Sequence, residues 1–187
     1  MALLQTILEH NARWVEEHNR PVSKVPHKKV VIFTCMDTRL VEFLEPALGI
    51  RRGDAQMIKN AGNTLVDPGG GVVRSLVVAI HVIGCEEILV IGHSDCGMGQ
   101  VNAAHLHQSM IDRGVPEAAL NALKPSFGEW IGGFHDPIGN VDRVVGLLRE
   151  NPLIPPSIPV HGLMFDPAAG SLDVIVDGYA SMKQTVD

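Results

Sequence analysis

No stretch of this 187-residue chain approaches the roughly 18 consecutive apolar residues needed to cross a bilayer, so the sequence carries no helical membrane span. Basic clusters are missing too. Lys28-Lys29 and Arg51-Arg52 are isolated doublets in a chain of formal charge −6, and they read as solvated strand ends. A nucleic-acid partner, which needs a basic face, is therefore not expected. Met1 to Trp14 lacks the charged, then apolar, then small pattern of a secretory signal. Three cysteines, an odd number, exclude a full disulfide framework, and their spacing favours metal or catalytic chemistry. A reduced, cytoplasmic setting is the expectation. Internal repeats and low-complexity tracts are absent as well. What remains is 45% hydrophobic, enough in a chain of this length for a single domain over residues 1–187 with a substantial core.

Two segments share one design. Val30 to Thr34 and Ile88 to Ile91 are short, β-branched apolar runs, as central strands of a parallel sheet are. The first stops at Cys35-Met36-Asp37-Thr38-Arg39, the second at Gly92-His93-Ser94-Asp95-Cys96-Gly97-Met98. In open α/β sheets chemistry gathers beyond the carboxyl ends of the strands. Side by side, these strands bring Cys35, His93 and Cys96 together as a zinc site. Two thiolates and one imidazole leave a fourth position open, the pattern of a catalytic zinc (Zn2+). Water bound there has its pKa lowered towards about 7. Asp37 lies close enough to accept a proton from that oxygen and orient it, and Arg39 can hold the carboxylate by a bidentate pair. The plainer readings are a surface ion pair for Asp37 and Arg39, and a redox or buried cysteine pair with a chance histidine.

Taken in order, Leu3, Leu4, Ile7, Leu8, Trp14 and Val15 recur at helical spacing and predict an amphipathic helix ending near Asn19-Arg20-Pro21. After the first strand, Val41 to Leu48 reads as a short helix interrupted near Pro46. Ala55 to Ile58 is a second strand ending at Asn60-Ala61-Gly62-Asn63. Val72 to Ile83 is apolar almost all round and predicts a largely buried helix closed by Gly84. His81 is expected in its core face, and Cys85 as a small buried hydrophobe. Helices are expected over 102–113, 117–123 and 141–150, with Lys124 to Pro137 rich in loop. Asn151 to Pro159 holds four prolines and forms a rigid connection to a fourth strand, Val160 to Phe165. Leu172 to Val176 returns antiparallel to it, and the tail after Gly178 is expected to be less ordered. The fold class is therefore α/β: about four mainly parallel strands plus an antiparallel edge strand, flanked by helices. The core spans 28–178 and a helical segment, 1–20, precedes it.

Cys-x-Asp-x-Arg after one strand and His-x-x-Cys after another resemble the paired signatures of the β-class carbonic anhydrases. Lys59-Asn60-Ala61-Gly62-Asn63 is similar to that family's Asn-Ala-Gly segment, and His161-Gly162 through Gly170-Ser171-Leu172 to its late strand and hairpin. The resemblance covers roughly Lys28 to Gly178 and is weakest between Gly99 and Asn140. It implies hydration of carbon dioxide to bicarbonate by zinc-bound hydroxide, with Ala61 and Gly62 bordering the substrate pocket. It also implies an N-terminal helical arm embracing a partner subunit in a homodimer or homotetramer, and a closed state with Asp37 as the fourth zinc ligand. Leu65, Val66 and Val72 are candidate apolar walls by their nearness in sequence. Members of this fold acting on carbonyl sulfide or carbon disulfide supply the alternative activity. A non-enzymatic zinc or bicarbonate sensor would keep the ligands but has no need of the Asp37–Arg39 pair.

Overall fold

The computed structural model describes residues 2–18 and 21–183. Its centre is a five-stranded sheet of β1 (Val30–Cys35), β2 (Ala55–Asn60), β3 (Glu87–His93), β4 (Val160–Phe165) and β5 (Leu172–Val176). The order is β2-β1-β3-β4-β5, parallel except for the antiparallel β4–β5 pair. β1 and β4 are buried at every residue, which is why each reads as an unbroken apolar run. On β1, Val31 and Phe33 face one core cluster, while Val30 and Ile32 face the other. Each such side chain, fully buried, contributes about 1.5–3 kcal/mol.

The described residues also form the helices α1 (Leu3–His18), α2 (Leu44–Ala47), α3 (Gly71–His81), α4 (Ala103–Asp112), α5 (Glu117–Asn121), α6 (Phe127–Ile131), α7 (Pro137–Arg149) and α8 (Gly178–Lys183), of which α3 and α7 bury side chains in one core cluster and α2 in the other. α7 lies closest to the sheet. Val141 fits against Gly92 of β3 and Gly162 of β4, where an added Cβ would sit 2.6 and 2.8 Å from its methyl groups. Two side chains on those strands would lift the helix away.

Several expectations change. Pro46 does not interrupt a helix, because α2 starts only at Leu44 and places the proline in its first turn, where its missing N–H is unneeded. β2 runs two residues further, to Asn60. His81 is exposed rather than in the core, with Nε2 3.3 Å from the Leu153 carbonyl. α3 buries one face only, through Val73, Leu76, Ala79 and Ile80, and leaves Val78 and Val82 exposed. Within 124–137 a short helix forms at Phe127–Ile131, and α7 begins at Pro137, four residues before Val141. The segment from Gly178 is helical to Lys183, and residues beyond it lie outside those described, as do Asn19 and Arg20. α1 presents Leu3, Leu4, Ile7, Leu8, Trp14 and Val15 at 50% to 76% exposure, so its apolar side chains remain uncovered.

Candidate metal centre

Parallel pairing of Thr34 with Ile91 aligns the carboxyl ends of β1 and β3. Cys35 ends the first strand and His93 the second, and Cys96 follows at the turn into the 3-10 segment Gly97–Gln100. The ligand atoms of Cys35, His93 and Cys96 lie within 4.8 Å of one another, and all three residues are buried. The two sulfurs are 3.9 Å apart and unbonded. His93 Nδ1 is 2.9 Å from the Ser94 carbonyl and donates to it, which leaves the Nε2 lone pair facing the sulfurs. That Nε2 is buried and has no hydrogen-bond partner among the described residues.

The electrostatics suit a bound cation. Burial pushes the Cys35 thiol up, but contacts from His93 and the backbone N–H groups of Gly62 and Asp37 outweigh it and leave the thiol below its ordinary range. Cys96 has the Met98 backbone N–H as its lowering contact, which burial and the neighbouring Cys35 outweigh, pushing the thiol up to about 11. A divalent ion supplies the countercharge that such a pair lacks and deprotonates coordinating thiols outright. Two soft sulfurs and one imidazole nitrogen are a donor set that suits zinc.

Beside the cluster, Asp37 caps the 3-10 turn Thr38–Leu40 and is gripped by Arg39. Arg39 Nε donates to Oδ1 at 3.0 Å and Nη2 to Oδ2 at 2.8 Å, and the Arg39 backbone N–H also reaches Oδ1 at 2.9 Å. These bonds hold the Asp37 carboxyl at about 2. Its Oδ2 lies 3.7 Å from His93 Nε2, so the carboxylate borders the cluster. Arg39 also ties down the loop carrying Cys96, through Asp95 Oδ2 at 3.0 Å and the Asp95 carbonyl at 2.7 Å. Asp95 is thus a partner of Arg39.

Ala61 and Gly62 lie in the 3-10 turn after β2, and Gly62 donates its N–H to Cys35 Sγ at 3.3 Å. Met98 and Phe134 are the apolar side chains nearest Gly62. Of the candidate walls, Leu65 and Val66 line a cavity with Arg143, and Val72 packs against the core cluster. Sequence reasoning also missed Asn140 of α7, whose Nδ2 donates to the Gly62 and Asn63 carbonyls at 3.0 and 3.4 Å. A polar residue next to Val141 and one turn before Val144, in an otherwise apolar stripe, was the available signal. Phe134 left none, since only the tertiary fold brings it to Gly62. His107 stacks edge-on against Phe127, and Cys85 is buried with its thiol pushed up by burial.

A family model for carbonic anhydrase matches residues 30–172, which include the whole cluster and the Asp37–Arg39 pair. This chain belongs to the β-carbonic anhydrase family. A crystal structure of β-carbonic anhydrase isoform I from Trichomonas vaginalis superimposes with a TM-score of 0.91 at 38% identity, covering 96% of this chain and 100% of that one. The Bacillus subtilis protein YvdA is 42% identical over 185 residues, covering 96% of this chain and 94% of the relative. A carbon disulfide hydrolase from Acidithiobacillus thiooxidans is 29% identical over 182 residues, covering 90% and 87%. Among the described residues no helix is long and apolar enough to cross a membrane.

Proposed function

We propose that this β-carbonic anhydrase family member is a zinc enzyme catalysing the reversible hydration of carbon dioxide to bicarbonate and a proton. The observation that carries the reading is the buried meeting of two thiols and one unpartnered imidazole nitrogen beside a carboxylate already held by an arginine. Cys35, His93 and Cys96 would hold zinc, which supplies Lewis acidity and an acidified water at its open position.

The remaining work falls to this chain's own residues. Asp37, kept ionised by Arg39, accepts a hydrogen bond from the reacting water and aims its lone pair at the carbon of the substrate. Arg39 engages both carboxylate oxygens and so keeps Asp37 from serving as a fourth ligand. The closed arrangement requires that grip to be released. A zinc-loaded structure with Asp37 on the metal and Arg39 still bidentate to it would rule that coupling out. Ala61 and Gly62 offer backbone rather than side chain beside Cys35, which suits a small, linear, uncharged substrate. The proton of hydration leaves to solvent.

The second reading keeps the site and changes the substrate to carbonyl sulfide or carbon disulfide, favoured by the similarity to a carbon disulfide hydrolase. One oxygen exchanged for sulfur demands only a slightly altered cavity. Stopped-flow carbon dioxide hydration on metal-quantified protein, with carbonyl sulfide hydrolysis alongside, separates the two. Fast hydration is expected. Slow hydration with efficient carbonyl sulfide cleavage moves the assignment to the second reading, and inertness to both gases leaves a sensor.

A further inference from the structure

Behind the Gly62 loop lies a cation without a counter-ion among the described residues. Arg143 of α7 is half-buried. Its Nη1 donates to the Leu65 carbonyl at 3.2 Å, and its Nη2 to Asn140 Oδ1 at 3.1 Å. Nε is buried and has no hydrogen-bond partner. Both acceptors are neutral, and among the described residues no carboxylate lies within ion-pair distance of this guanidinium. Buried charges in proteins are ordinarily paired, since an isolated one forfeits its hydration. Burial accordingly pushes the Arg143 pKa down.

The guanidinium lines two cavities. One, of about 250 Å³, also contains Glu129, whose carboxylate accepts from the Ser126 N–H and hydroxyl and would repel an anion. The other, of about 210 Å³, is walled by Leu65, Val66, Val73 and Leu147, with Asn151 as its only other hydrogen-bonding side chain. Asn151 Nδ2 donates one of its two N–H groups to the Pro68 carbonyl. Among the described residues Arg143 is therefore the only charged group lining that space.

We propose that the cavity beside Arg143 binds a small planar oxyanion, of the size of formate, acetate or bicarbonate. A guanidinium edge matches two coplanar oxygens, and apolar walls strengthen the pairing by excluding water. The site lies one hydrogen-bonded residue from the metal centre, because Asn140 receives Arg143 through its Oδ1 and holds the Gly62 carbonyl through its Nδ2. Binding at Arg143 does not rest on the proposed reaction, and its test reads stability rather than turnover.

The test is thermal unfolding of metal-loaded protein against rising formate, acetate or bicarbonate, with chloride holding ionic strength constant. The expected result is a Tm that climbs with the logarithm of anion concentration and an apparent Kd weakened about tenfold or more in Arg143→Gln. Leu147→Trp, at the cavity rim, fills the space while keeping the arginine, and it should abolish the effect too. It decides the matter if Arg143→Gln does not fold. His93→Ala separates this site from anions drawn to the metal centre and should keep the stabilisation. Stabilisation that survives both cavity variants, or that His93→Ala removes, overturns the proposal. So does wild-type protein that gains nothing over chloride.

Discussion

The backbone N–H of Gly62 points at Cys35 Sγ from 3.3 Å, so a 3-10 turn from one strand supports a thiol at the end of its neighbour. The glycine sits at φ +69°, and a Cβ there would lie 2.7 Å from Met98 Cγ and 3.1 Å from Phe134 Cδ2. Gly62→Ala combines left-handed strain with overpacking and should destabilise by about 1–3 kcal/mol. The displaced turn should also lower metal content. Urea unfolding together with metal quantification checks this. An alanine variant with wild-type stability and full metal would show that the close approach is dispensable.

Metal removal gives a second expectation. His93 Nε2 is buried without a hydrogen-bond partner among the described residues, so chelation should lower Tm substantially. Saturating metal at about 1,000 times its Kd is worth about 4 kcal/mol of stability. Cys96→Ser should bind metal sub-stoichiometrically. Retention of one zinc per chain in that variant would remove Cys96 from the donor set.

Asp37→Ala should reduce kcat/KM for carbon dioxide hydration by about 10²- to 10⁴-fold, the usual worth of a positioned proton acceptor. Metal content should stay near wild type, because the ligand atoms are supplied by three other residues. Undiminished hydration in Asp37→Ala would leave Arg39 and Asp37 as a structural clasp for the Cys96 loop, a role the Arg39–Asp95 bonds could serve alone.

The sheet and the metal cluster were legible because the same pattern encodes both. β1, β3 and β4 each have a strand on either side, so their residues are apolar in sequence, and their ends are marked by abrupt polar turns. β2 was read two residues short because it is an edge strand whose Lys59 and Asn60 are free to be polar. Periodicity overstated α3: apolar residues nearly all round suggested burial, yet Val78 and Val82 face outward in the single chain. α6 is five residues long and hidden among glycines and prolines, although Ser126 and Glu129 form a capping box that announces its start. Asp95, Phe134 and Asn140 owe their places to tertiary packing. No spacing in the sequence relates Asn140 to Gly62, 78 positions away.

Phe134 offers a handle on substrate choice. It approaches Gly62 and Gly99 from the 132–136 segment and joins the cluster containing Cys35, Cys96 and Met98. Phe134→Ala should open space beside the Gly62 backbone and favour the bulkier sulfur-bearing gas. A shift of about tenfold in the ratio of kcat/KM values, carbonyl sulfide over carbon dioxide, is the expected size for a change of this kind in an apolar pocket. An unchanged ratio at unchanged metal content would place the specificity wall elsewhere.

The last expectation concerns assembly. α1 carries Leu3, Leu4, Ile7 and Leu8 within two turns, with Trp14 and Val15 further on, and every one is at least half exposed. A lone exposed leucine is unremarkable, but six large apolar side chains on one helix make a contiguous uncovered patch of the kind that marks an interaction site. A second copy of the chain, gripped by this arm, is the occupant expected from the family resemblance. Leu4→Glu with Leu8→Glu places two charges one turn apart on that patch, where desolvating them on association is unfavourable. Sedimentation velocity should find the wild type as a dimer or larger species and the double variant shifted towards monomer, with zinc content intact because α1 supplies none of the three donors. A wild type that sediments as a stable monomer would refute the assembly. Equal association by the double variant would move the interface off α1, with the outward Val78 and Val82 of α3 as the next surface to charge.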